Sequence, residues 1–524
     1  MMKKALLILL TLSLLLVSCT NNVADPATLH GGSWEDMFRE FWAVMDEDYV
    51  HFTYETVNWD NVYGDYLDKF KALSKDKVED SFKAFSYFKE IVYSLTDYHY
   101  RLLVADDFGF ILDTRPSLLQ KWKNEGKDIM DFHDIIKGED QYYSVNGGPN
   151  NPVTEAKRNE DWKIAINGYK ETEDLGNALF HSSTVAGYQF VAGSMNGTEF
   201  KPDDEETEWE KLYREFILAD TSDEEEGTDW DKLLKAFSLT NTSWYYGVTE
   251  NGVLYIHFSA FVSSSLFDFY RYIMDEGLTE AEKQNLASSF EKEKGYYDSL
   301  VAESGKTGTE AADYKKKLIN FFVPLKMMNT LAEAVTTNYV TLEDGKTKKE
   351  IKGVVIDLRC NGGGDADFLA RVMGTFFASD KAVGTVYSKM GYSRYDYTPS
   401  SEFRLGYYNT KLNEDYKGRV AVIVNGMSVS CSEIATITSK LLPSSRTFGS
   451  TTFGATCALA SRVLYQSGPY QTENLFVRST TYRYTAFDGK SYEVCGITPD
   501  EVIPLSTTED TRFERAVEWV ATGK

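Results

Sequence analysis

Apolar positions along the N-terminal part of the chain recur at helical spacing. Ser33 is a good N-cap with Asp36 three residues on, and Trp34, Met37, Phe38, Phe41, Trp42 and Met45 then mark one face of an amphipathic helix. A second stripe runs through Val62, Tyr63, Tyr66, Leu67 and Phe70, and a third through Phe82, Phe85, Phe88, Ile91, Val92 and Leu95. Aromatic stripes at this spacing are core-forming faces, so residues 33–100 are expected to form an N-terminal helical domain. From about 101 to 243 the period is lost, and Gly, Asn and turn residues dominate. The acidic runs at 203–206 and 223–226 lack the alternating oxygen ligands and central Gly of a calcium loop, so they read as solvated surface.

Beyond 244 the texture changes to short, continuously apolar runs: Val253-Leu254-Tyr255-Ile256, Val354-Val355-Ile356-Asp357-Leu358 and Val420-Ala421-Val422-Ile423-Val424. Runs of this β-branched kind suit strands buried on both faces, and each of the last two precedes a polar or Gly-rich turn and a helical pattern. An α/β core is therefore expected over 244–524, interrupted by a charged helical insertion at about 266–340, with functional residues at the strand ends.

Composition narrows the function. The 524 residues exceed one compact core, and 42% hydrophobic with 14% aromatic residues exclude global disorder. A net charge of −25 repels phosphate backbones, so nucleic acid is not an expected partner. Lys3 and Lys4 followed by an apolar stretch and then Leu16-Val17-Ser18-Cys19 form a targeting segment too short to span a bilayer. It resembles a bacterial lipoprotein signal, which implies removal of residues 1–18, lipid attachment at Cys19, a polar tether to about residue 32, and a place in the cell envelope, most simply at the outer membrane. Cys360, Cys431, Cys457 and Cys495 include no C-x-x-C pair, so no structural metal site is expected.

Two strand ends carry candidate chemistry. The run Asn361-Gly362-Gly363-Gly364 leaves backbone N–H groups free to form an anion or oxyanion nest, without the Lys-Ser/Thr ending of a phosphate loop. The run Asn425 to Glu433 places Ser428, Ser430 and Ser432 at a strand-to-helix turn, where a serine is either a nucleophile or a helix cap.

The order of these segments, followed by Thr451-Thr452-Phe453-Gly454 and Gly496-Ile497-Thr498-Pro499-Asp500, resembles the C-terminal processing (tail-specific) serine peptidases. The resemblance implies a crotonase/Clp-protease-like core, Ser430 as nucleophile, and an oxyanion hole from the main chain of Cys431 and Gly363. Ala455 stands where the family's processing branch carries its lysine base. The tricorn-like branch uses a histidine and a glutamate instead, which match His99 in Leu95-Thr96-Asp97-Tyr98-His99 and Glu493; Tyr98 stands where that branch has a serine. The family's PDZ domain is expected between His99 and Val253, but no carboxylate-binding loop is evident there. The implied protein is a lipid-anchored peptidase acting on peptides or proteins, needing no cofactor. A catalytically silent binding protein on the same fold, and a glycan-binding surface lipoprotein, are the alternatives.

Overall fold

The computed structural model describes residues 32–116 and 244–524, except 275–277, 312–322, 343–345, 391–392, 407–408, 458, 460–468 and 505–509, together with residue 232 and strand backbone between 144 and 199. The segment around Cys19, where lipid attachment is expected, and most of the 101–243 region lie outside the described residues. No helix among the described residues is long and apolar enough to cross a membrane.

The chain begins with helices α1 (Trp34–Asp48), α2 (Trp59–Lys71) and α3 (Val78–Tyr93). Ser33 and Asp36 form a reciprocal capping box that satisfies the first N–H groups of α1. The aromatic stripes meet as the periodicity predicts: Phe38 stacks on Phe70 at 4.6 Å and Phe41 meets Phe88 edge-on at 5.4 Å. The helices do not close this core alone. Strands β1 (Arg101–Ala105) and β2 (Phe110–Thr114) add Leu102, Val104, Phe110 and Leu112, and Leu475 and Val477 arrive from far along the chain. The N-terminal unit therefore extends past residue 100 and shares its core with the C-terminal segment.

The central sheet places β3 (Trp244–Thr249), β4 (Val253–Phe258), β5 (Gly353–Asp357), β6 (Arg419–Val424) and β7 (Ser445–Gly449) side by side in that order. β8 (Leu475–Arg478) belongs to the smaller sheet with β1, while β9 (Glu501–Val502) extends the central one beyond β7. β4 to β7 are parallel, with β3 antiparallel to β4. Helices over Ser265–Met274, Glu280–Ser289, Glu291–Glu303 and Val323–Thr337 fill the β4–β5 connection. Strand alternation splits the core into two layers. Leu254, Ile256, Val354, Ile356, Val420 and Val422 face α4 (Ala366–Gly374) and α5 (Cys431–Ser439), while Val253, Tyr255, Val355, Ala421 and Ile423 face Phe513, Ala516, Val517 and Val520 of α6 (Thr511–Thr522).

In register, Asp357 of β5 pairs with His257 of β4 and Ile423 of β6, so these strands end at one edge of the sheet. The turns after β5, β6 and β7 emerge there, where open parallel sheets place their ligands. A buried ion-pair network anchors this edge to α6: Arg359 donates to both Asp357 and the N-cap Asp510, at 2.7 Å to the latter, and Tyr255 Oη donates to Asp357. Removing the guanidinium leaves two buried carboxylates without their counter-charge. Arg359→Ala is expected to lower stability by about 3–5 kcal/mol in urea denaturation; a loss below about 1 kcal/mol would show that the network contributes no more than an exposed pair.

Candidate active site

The turn between β6 and α5 is fixed by its own polar side chains. Asn425 Oδ1 accepts from the N–H groups of Cys360 and Met427, tying the β6 turn to the β5 turn. Ser428 Oγ donates to Leu358 O at 2.7 Å and accepts from Asn425 N–H. Ser432 Oγ donates to the backbone and side-chain oxygens of Asn361 at 2.8 and 2.6 Å. Both of these serines are completely buried, and their hydroxyls serve the turn. Ser430 differs: it is half-buried and sits at φ 57°, ψ −116°, a conformation that a β-carbon makes costly. It immediately precedes Cys431, the first residue of α5, whose N–H has no intrahelical acceptor. A serine on a strained strand-to-helix turn is the geometry of a nucleophile elbow.

The strain is held by Glu433, which is wholly buried. Its Oε2 accepts from the N–H groups of Ser430 and Ala455, and its Oε1 accepts from Thr452 Oγ and Gly454 N–H. Burial, with the nearby charge of Glu493 adding to it, pushes this carboxyl up to about 7 against the pull of those donors. Phe453 N–H donates to Ser428 O, and the Phe453 ring meets Tyr98 edge-on at 4.8 Å. The residue before His99 thus docks on the loop that Glu433 ties to Ser430.

Asp97 secures the other side of this junction. Its Oδ1 accepts His99 N–H and its Oδ2 accepts both Thr480 N–H and Thr480 Oγ. Burial lowers the His99 imidazole pKa below the ordinary histidine value, outweighing the opposing fields of Asp97 and Glu493, and Arg478 and His51 push the same way. His99 Nδ1 is buried with no hydrogen-bond partner. The ring is therefore neutral at neutral pH, as a general base must be.

Glu493 is bonded to a different histidine. Its Oε1 lies 2.9 Å from Nε2 of His51, on the turn Val50–Thr53, while its Oε2 accepts from Thr456 Oγ and Cys457 N–H. Burial alone would lower the His51 pKa, but the hydrogen bond to Glu493 and the Glu55 carboxylate 3.5 Å from Nδ1 raise it to about 10; the His51 contact outweighs burial at Glu493 and brings that carboxyl to about 2. The two form a buried ion pair, and Glu493 reaches His99 through its field rather than by a hydrogen bond. The sequence reading did not single out His51, because its partner is 442 positions away. His51, Cys457 and Glu493 also bring an imidazole, a thiol and a carboxylate within 4.8 Å. Burial pushes the Cys457 thiol well up, and both carboxylate oxygens are already engaged, so the donors are arranged as an ion pair rather than as an open ligand set.

Gly363 lies directly against the serine, since a β-carbon there would sit 2.7 Å from Ser430 Cβ, and its φ of +90° also favours glycine. Its N–H donates to Asn361 Oδ1 at 2.9 Å, so it must exchange that acceptor to serve an oxyanion. Cys431, the other expected donor, presents its N–H at the start of α5.

The comparisons place the chain among the serine-type peptidases. The family described as Peptidase family S41 matches residues 323–503, and the Tricorn protease C1 domain matches residues 32–76. The matched segment 323–503 is that of an S41 peptidase, in agreement with the resemblance to the C-terminal processing family. Among solved structures, a candidate peptidase from Parabacteroides merdae is similar at 16% identity and TM-score 0.47, over 94% of this chain and 98% of that one. Mature CPAF complexed with lactacystin is similar at 10% identity and TM-score 0.41, over 93% and 96% of the two chains. The photosystem II D1 C-terminal processing protease is similar at 14% identity and TM-score 0.36, over 94% and 98%. No curated protein matches the chain.

Because glycine adopts positive φ without the β-carbon penalty, Ser430→Gly is expected to be more stable than Ser430→Ala by about 1–2 kcal/mol. Equal denaturation midpoints for the two variants would mean that the turn carries no such strain.

Proposed function

We propose that this chain is a lipid-anchored serine peptidase of the bacterial cell envelope that cleaves peptides or proteins by acyl transfer. The observation that carries the catalytic assignment is the contrast among the turn serines: Ser428 and Ser432 are buried and spent on structure, while Ser430 is half-buried and strained at the helix start. In the reaction, Ser430 Oγ attacks the scissile carbonyl and His99 takes the hydroxyl proton, later returning it to the leaving amine. Water then attacks the acyl-enzyme with His99 again as base. The N–H groups of Cys431 and Gly363 stabilise the oxyanion. Glu493, kept ionised by His51, favours the imidazolium that forms at His99. Ala455 leaves no lysine at the position the processing branch uses, and this supports the histidine assignment. The lipid anchor rests on the run from Lys3 to Cys19. A silent binding protein is the competing reading, favoured by the unpartnered Nδ1 of His99, which no carboxylate orients.

Cleavage of an unstructured protein substrate decides between them. Ser430→Ala is expected to lose on the order of 10⁴ in rate, whereas Ser428→Ala and Ser432→Ala retain measurable turnover. Wild-type protein that is folded but inert would favour the binder.

The pH dependence follows from the sign of the His99 shift. Neutral imidazole is the active form and its pKa is lowered, so kcat/KM should hold through pH ~6.5 and fall at a midpoint below it. An acid limb centred above ~7 in the wild type, or full activity in His99→Ala, is incompatible with this base.

Replacing Cys19 with Ala should move the protein from the membrane fraction to the soluble one. An unchanged distribution, or an unmodified mature N-terminus elsewhere, contradicts the anchor.

A further inference from the structure

Arg478 lies two residues before Thr480, at the junction that holds the proposed base. In the ladder between β1 and β8 it stands directly opposite Arg101, a like-charge pairing that costs stability unless an anion answers it. Arg101 has its anion, for Asp113 accepts from its Nε and terminal nitrogen at 2.9 and 2.6 Å. Arg478 has no ion-pair partner among the described residues, and its Nε is buried without a hydrogen-bond partner. Leu475 and Val477 turn into the helical core, so the half-buried Arg478 and Phe476 occupy the other face of the sheet. Two residues on from Arg478, Thr480 is gripped by the Asp97 carboxylate that also holds the His99 backbone. The segment carrying Arg478 is therefore held against the segment carrying His99, and the charge of the guanidinium reaches the imidazole. In a chain of net charge −25, which repels anions in general, a cation left open at this point is a local receptor for one.

We infer that Arg478 forms a carboxylate-binding subsite next to His99, through which the enzyme selects peptides carrying a carboxylate near the cleaved bond. A half-buried guanidinium suits this role through its terminal nitrogens, paired donors that match carboxylate geometry as lysine does not. The carboxylate comes from an internal Asp or Glu side chain or from a free C-terminus.

This inference rests on the peptidase reading, and its test is separable from that reading because it measures binding. The full chain carrying Ser430→Ala is titrated with fluorescein-labelled neutral octapeptides in which a single Glu is moved along the sequence. Each is compared with its Gln counterpart, and each is made with a free or an amidated C-terminus. One register of Glu, or the free terminus, is expected to bind about tenfold tighter than its neutral partner, which identifies the source of the carboxylate. Adding Arg478→Gln should abolish that difference, and Arg478→Glu should transfer the preference to a Lys-bearing peptide, a gain that misfolding cannot produce. Equal affinity across all Glu/Gln and acid/amide pairs, or a preference that survives Arg478→Gln, overturns the proposal. Absence of cleavage by the wild-type chain would instead count against the peptidase reading and leave the binding result standing.

Discussion

One buried carboxylate holds the site together. Glu433 accepts from Ser430, Thr452, Gly454 and Ala455, and so joins the turn after β6 to the loop after β7. Those bonds add to the turn's own Asn425, Ser428 and Ser432 contacts in keeping Ser430 at positive φ, where the unstrained alternative lies about 1–2 kcal/mol lower. The loop that Glu433 captures also carries Phe453, which receives Tyr98, and the position of His99 follows from that contact. The four donors offset part of the cost of burial, which still raises this carboxyl to about 7.

The second buried carboxylate divides the labour. The ion pair with His51 keeps Glu493 ionised, so its carboxylate field reaches His99 while the His51 cation opposes it. Burial keeps His99 neutral in the resting protein, while Glu493 and Asp97 lower the cost of the imidazolium when a proton arrives. Neutral ground state and tolerated cation are the two demands on a general base, and here separate groups meet them.

What was legible in the sequence was local. The apolar runs at 253–256, 354–358 and 420–424 identified the buried parallel strands, and their endings located the turns that carry Ser430 and Gly363. The α1 capping box was readable from Ser33 and Asp36 alone. Contacts between distant segments were not legible. Glu433 was visible as part of the turn motif but not as an acceptor for residues some twenty positions later. His51 carried no signal of its pairing with Glu493, and Glu493 was assigned to His99 from position alone. The N-terminal boundary at 100 cut through a core that β8 completes, because strand pairing across the length of the chain leaves no trace in local periodicity. Even the choice among Ser428, Ser430 and Ser432 needed the resemblance to known peptidases, since burial and backbone angles separate them only in three dimensions.

Whether Glu433 holds Ser430 as the reactive serine is decided by covalent capture with a fluorophosphonate followed by peptide mass mapping. Attack by Ser430 Oγ on phosphorus displaces fluoride and leaves a stable adduct on the attacking residue. A single adduct on Ser430 is expected in the wild-type chain, with slower labelling in Glu433→Gln at unchanged secondary structure. A folded chain that takes no label, or takes it on Ser428, Ser432 or a serine outside the turn, would contradict it.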